Sequence, residues 1–156
     1  NVRNNDHLFK DWVVLTIKPD HLWHSDTWFC PRNAAADFGR HIKQGESAFG
    51  SLFSSHISGS GGRVFTRQAN HLPSAPTDIQ AEVLVKDPVP LDDIVSIVVK
   101  SEEQANRELC RLRLQGITID KPIYVAPAFY RRRELSSSIQ SGNRAIETLY
   151  MDGEIQ

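Results

Sequence analysis

The chain has 156 residues, 40% of them hydrophobic and 24% charged, with a formal net charge of −1. That length suffices for one domain with a sizeable core, and the composition is that of an ordinary globular protein. Gross charge points to no partner, so only a local patch can do so, and no apolar run approaches membrane-spanning length.

No basic-then-apolar leader opens the chain. The first residue is Asn rather than Met, as in an excised or processed piece. The two cysteines, Cys30 and Cys110, lie far apart and lack metal-like neighbours. They read as two small buried residues of a reducing, cytoplasmic compartment, with a single disulfide as the lesser alternative.

Residues 1–10 are polar and lead as a loop into WVVLTIK, residues 12–18, a β-branched run that predicts a buried strand ended by Pro19 and Asp20. His21 and His24 follow three residues apart, but turn residues precede them and no Cys or Asp completes a tetrahedral set, so no metal is expected. TWFC, residues 27–30, predicts a short strand. NAAADFGRHIKQG, residues 33–45, predicts a helix, with Asn33 as N-cap, Gly45 as stop, and Phe38 and Ile42 on one face. Phe49, Leu52 and Phe53 then pack a short helix or turn onto the core.

Residues 54–80 form a long glycine- and serine-rich loop with little periodicity. Loops of that length inside compact domains are uncommon and often functional. Its SGSGG stretch, residues 58–62, lacks the strand–loop–helix context of a phosphate cradle. Beyond it, residues 81–85 and 94–100 predict strands on either side of the stiff turn DPVPLDD.

Ser101 caps a helix over residues 101–116, with Ala105, Leu109 and Leu112 as its apolar stripe. Another strand is expected near residues 123–125. A last helix, in RRRELSSSIQSG, stops at Gly142. Arg131, Arg132 and Arg133 stand at its start, against the helix dipole. They are candidate phosphate contacts, or a solvated helix start. The expected architecture is α+β: one domain over residues 1–156, with a single mixed or antiparallel sheet and peripheral helices.

Within AEVLV, alternation puts Glu82 and Leu84 on one side of the strand and Ala81, Val83 and Val85 on the other. One reading is a solvent-facing acid paired with Arg63, Arg67 or Lys86. The other is a carboxylate facing a substrate cleft, where it orients a hydroxyl, takes a proton or stabilises charge developing on a sugar carbon.

RQANHLPSAPTDIQAEVLVKDPVPLDDIVSIVV, residues 67–99, resembles the carboxyl-terminal signature of the DarT family, bacterial DNA ADP-ribosyltransferase toxins. DWVVLTIKPDHLW followed by FCPRNAAADFGR supports the resemblance, which spans roughly residues 8–130. It implies that Glu82 is the catalytic glutamate and that NAD is co-substrate. Nicotinamide leaves, and ADP-ribose passes to a base of single-stranded DNA, with RNA as the other acceptor. It also implies a cognate antitoxin that removes the ADP-ribose.

The loop over residues 54–80 matches the family's substrate-recognition loop. Arg63, Arg67, Gln68 and Asn70 are its candidates for phosphate and base edges, and Phe65 and His71 for stacking. The family also carries an amino-terminal, NAD-holding region. The resemblance implies that this chain begins after it, as a partial domain, with Arg3 matching the end of that segment as a cofactor contact. A chain without that region binds NAD poorly. The alternative is a non-catalytic nucleic-acid- or protein-binding module, for which the arginine run matters more than Glu82.

Overall fold

The computed structural model describes residues 11–151. In chain order the elements are β1 (Val14–Ile17), β2 (Trp28–Cys30), β3 (Lys43–Gln44), α1 (Glu46–Ser51), β4 (His56–Ser58), β5 (Val64–Thr66), β6 (Glu82–Leu84), β7 (Ile94–Val99), α2 (Glu102–Leu114), β8 (Ile123–Val125), α3 (Arg132–Gln140) and β9 (Thr148–Leu149). The fold is mixed α+β, as expected. Its strands divide among three small sheets rather than one. Residues gather into two compact units that interleave along the chain. One holds the described residues up to Lys18, then Pro90–Arg132 and those from Ile146. The other holds Pro19–Val89 and Arg133–Ala145.

The first unit is a four-stranded sheet in the order β1-β7-β8-β9. β7 and β8 run parallel, which requires a crossover, and α2 supplies it. α2 forms where its cap predicts: the Gln104 amide donates to Ser101 Oγ at 3.2 Å, and Glu102 and Glu103 occupy the first turn. Buried Val99, Ala105 and Ile123 make the core, with Leu109 of the predicted stripe against them. Gln104 is buried too, and its Nε2 donates to the Trp12 carbonyl at 3.0 Å. β1 departs from the expected buried strand. It lies at the end of the sheet, and Leu15 and Ile17 are exposed. An edge position removes the cover that a continuous apolar run otherwise implies.

The second unit contains the antiparallel sheet β3-β2-β6 and the hairpin β4–β5. Buried Phe29, Ala48 and Leu52 form its core, and the Phe49 ring meets Phe29 and Phe53 edge-on at 5.5 and 5.4 Å. Part of the segment expected as loop is therefore strand. β4 pairs with β5 so that buried Ile57 faces Phe65. The turn between them closes over Gly59, where a Cβ would approach the Phe65 ring to 2.8 Å.

Candidate functional site

The site begins with strand register. β2 and β6 are antiparallel, with Cys30 opposite Glu82, Phe29 opposite Val83 and Trp28 opposite Leu84. Directly opposed residues share a face. Trp28, Cys30, Glu82 and Leu84 therefore lie on one face of the sheet, and Phe29 on the other, inside the core. Cys30 is fully buried, Glu82 is half-buried, and Trp28 keeps 41% of its surface. An acid inside an apolar run is thus explained by alternation, and an indole stands on the same face.

Glu82 is held by the segment that follows β2. The Ala34 N–H donates to Glu82 Oε1 at 3.2 Å. One residue on, the Ala35 N–H donates to Asn33 Oδ1 at 2.9 Å, an Asx turn. This corrects the helix predicted over residues 33–45. A helix would draw these amides into its own ladder, whereas the turn directs one of them at the carboxylate. The chain then makes only a short 3-10 turn, Ala36–Gly39, before β3.

Inside that turn the backbone is left-handed at three successive residues: Asp37 (φ 51°), Phe38 (φ 59°) and Gly39 (φ 77°). Glycine adopts this readily, whereas the other two cost on the order of 1 kcal/mol each. An ion pair offsets the cost. Arg32, whose side chain is only 5% exposed, meets Asp37 Oδ2 at 3.1 Å, and His41 Nε2 meets the same oxygen at 3.2 Å. The result leaves the Phe38 side chain wholly in water, at 104% of its reference exposure, rather than packed with Ile42.

Glu82 is also fixed from its N-terminal side. The Thr77 Oγ1 donates to the Ser54 carbonyl at 2.7 Å. Buried Asp78 accepts the Gln80 N–H at 2.9 Å, and the Ala81 N–H donates to the Asp78 carbonyl at 2.9 Å. The Thr-Asp pair before a strand is turn chemistry that marks this entry, and Trp28 is the other site residue missed in the sequence. Its signal was the alternation within TWFC, which needed a partner strand before it meant anything.

The loop candidates divide. Arg67 is bound within its own loop. Nη1 donates to the Ala75 carbonyl (2.9 Å) and Thr77 Oγ1 (3.3 Å), and Nη2 to the carbonyls of Leu72 (3.2 Å) and Pro73 (3.1 Å). Its guanidinium also lies over the Phe53 ring. His71 is buried, with Nε2 3.1 Å from the Pro76 carbonyl. Phe65 is half-buried against the hairpin, whereas Arg63, Gln68 and Asn70 are exposed. Arg131, Arg132 and Arg133 are exposed where α3 begins. Arg3 lies outside the described residues. Lys86 is paired with Asp26 at 3.8 Å rather than with Glu82.

An apolar cleft of about 390 Å³ is lined by Leu22, Trp23, His24, Phe29, Glu46 and Phe49. Phe29 places it on the face opposite Glu82, so it does not contain the carboxylate. The His21 and His24 rings lie 5.2 Å apart. Among the described residues, no three His, Cys, Asp or Glu side chains converge to hold a metal, and no helix is long and apolar enough to cross a membrane. Cys30 and Cys110 are both free thiols; Cys30 is buried as expected, whereas Cys110 is exposed on α2.

The family model described as "ssDNA thymidine ADP-ribosyltransferase, DarT" matches residues 1–131. No curated protein matches the chain significantly.

Proposed function

The chain belongs to the DarT family of ssDNA thymidine ADP-ribosyltransferases, and from that premise we propose that it transfers ADP-ribose from NAD to a thymidine base, with Glu82 as the catalytic residue. The observation that carries the assignment is the half-buried carboxylate at the start of β6, oriented by the Ala34 amide at 3.2 Å. A carboxylate accepts on two oxygens. With Oε1 engaged by Ala34, Oε2 is the acceptor for a ribose hydroxyl of the substrate.

NAD supplies the ADP-ribosyl group. The bond from the ribose carbon to the nicotinamide nitrogen breaks, and a bond from that carbon to a base nitrogen forms. Glu82 offsets the positive charge that develops on the ribose carbon and receives the proton the base gives up. The Trp28 indole, on the same face, supplies an apolar surface for a flat ring.

In this reading Arg63, Gln68 and Asn70 meet the DNA from the exposed part of the loop, with Phe65 behind them. Arg67 and His71 act by holding the loop's shape. Arg3 is proposed as an NAD contact. The protein acts in the cytoplasm as the toxin of a toxin–antitoxin pair, against an antitoxin that removes ADP-ribose. The exposed Arg131, Arg132 and Arg133 favour a second reading, a nucleic-acid-binding module without catalysis.

The test is incubation of this chain, and of its natural gene product, with labelled NAD and single-stranded oligonucleotides with or without thymidine. The expected result is label on the thymidine-containing strands alone, reduced about 100-fold or more by Glu82→Gln. That change keeps volume and an acceptor oxygen but removes the charge. Normal transfer by the variant would remove Glu82 from the mechanism. Salt-sensitive binding without nicotinamide release would support the second reading.

A further inference from the structure

We propose that Phe38 is a stacking platform for a base of the single-stranded substrate, presented on a left-handed turn that Arg32 clamps. The inference deepens the reading of Glu82 given above and rests on it.

Three observations carry it. The ring is wholly exposed, so it contributes nothing to a core. Its backbone, with that of Asp37, occupies a region that side chains other than glycine disfavour. A nearly buried arginine holds this arrangement through Asp37 at 3.1 Å. Folding alone does not reward such a combination, whereas a ligand that covers the ring does.

Position and charge identify the ligand. Phe38 lies four positions after Ala34, the residue bonded to Glu82, so their Cα atoms lie within about 14 Å of each other. That is a reach of a few nucleotides from the reacting base. Arg32 and His41 face Asp37, and Arg40, two residues beyond Phe38, is exposed. The surroundings therefore suit a phosphate-bearing strand, with the aromatic face for a base and a cation for the backbone. Stacking on an aromatic tolerates any base. Phe38 accordingly holds a neighbouring nucleotide rather than selecting the thymidine.

The experiment measures affinity for a thymidine-containing oligonucleotide that carries a fluorescent purine analogue beside the thymidine. Binding is followed by anisotropy and by quenching of the analogue. The parent is the Glu82→Gln protein, so that no modification intervenes. Phe38→Ala is expected to weaken binding about 5- to 100-fold and to abolish quenching. Phe38→Trp restores both to within about threefold, and Phe38→Leu restores neither, because stacking needs a π-face.

Melting temperatures stay together, since the ring makes no packing contact. Parent-like binding by Phe38→Ala or Phe38→Leu would overturn the stacking role and leave the ring to a protein partner. If the unaltered chain modifies DNA and Phe38→Ala modifies it equally well, only the Phe38 assignment falls. If the unaltered chain neither binds nor modifies DNA, the reading of Glu82 falls with it.

Discussion

Glu82 and Tyr130 show how single side chains are set by their surroundings. Glu82 takes its orientation from a backbone amide 48 positions away in sequence, so its geometry depends on the Asx turn at Asn33. Tyr130 is half-buried in the other unit, and its hydroxyl donates to the Val98 carbonyl at 2.8 Å. Burial pushes its pKa up to about 12, from an ordinary value of 10.0. The folded state thus keeps the phenol proton where the unfolded chain loses it. The resulting stabilisation is fully present below pH 10 and is lost as pH rises through about 12. Tyr130→Phe is expected to cost about 1 kcal/mol at neutral pH through the lost hydrogen bond. It should also flatten the alkaline decline in stability between those two values. Chemical denaturation across the range, with spectrophotometric titration of tyrosinate, checks both effects.

Among elements, α3 offers the sharpest test because its stop has a second task. Gly142 has φ 78°, and a Cβ there would come within 2.5 Å of the Asn70 carbonyl oxygen. Gly142→Ala is expected to destabilise the protein by more than about 1 kcal/mol, from backbone strain and from displacing the chain at Asn70, within the loop over residues 54–80. Urea midpoints measure it. The sequence announced Gly142 as a stop, and likewise Ser101 as a cap, because both signals are local. β6, β7 and β8 were legible for the same reason: β-branched runs bounded by turn residues. The segment over residues 33–45 was not. Its outcome hangs on Arg32 reaching Asp37 and on positive φ at Phe38, neither of which a helical apolar pattern encodes. The hairpin of β4 and β5 escaped notice because HIS and VFT lie among serines, glycines and other polar residues, so no apolar run marks them out. At the site, Glu82 stood out as an acid among apolar neighbours. Trp28 did not, since only the β2–β6 register puts it on the same face.

At the scale of the molecule, a formal net charge of −1 gives no broad field to draw in a polyanion. Under the proposed function, attraction comes from local cations, with the exposed Arg131, Arg132 and Arg133 among the candidate phosphate contacts. Three phosphate contacts on single-stranded DNA predict a slope of about −2 in log affinity against log salt concentration. Replacing the three arginines by Ala should make that slope shallower by about 2, and titrations at several salt concentrations read it directly. The interleaving of the two units has a consequence for synthesis. The polypeptide passes between them four times, and the unit holding Glu82 is finished only by Arg133–Ala145. Within that unit the Leu72 N–H waits for the Ile139 carbonyl. At ~5–20 residues per second, roughly 3–12 s elapse on the ribosome between making Glu82 and making the end of α3. For that interval the nascent chain carries its carboxylate without its finished surroundings, and the cell making it meets the working protein only after α3 has emerged.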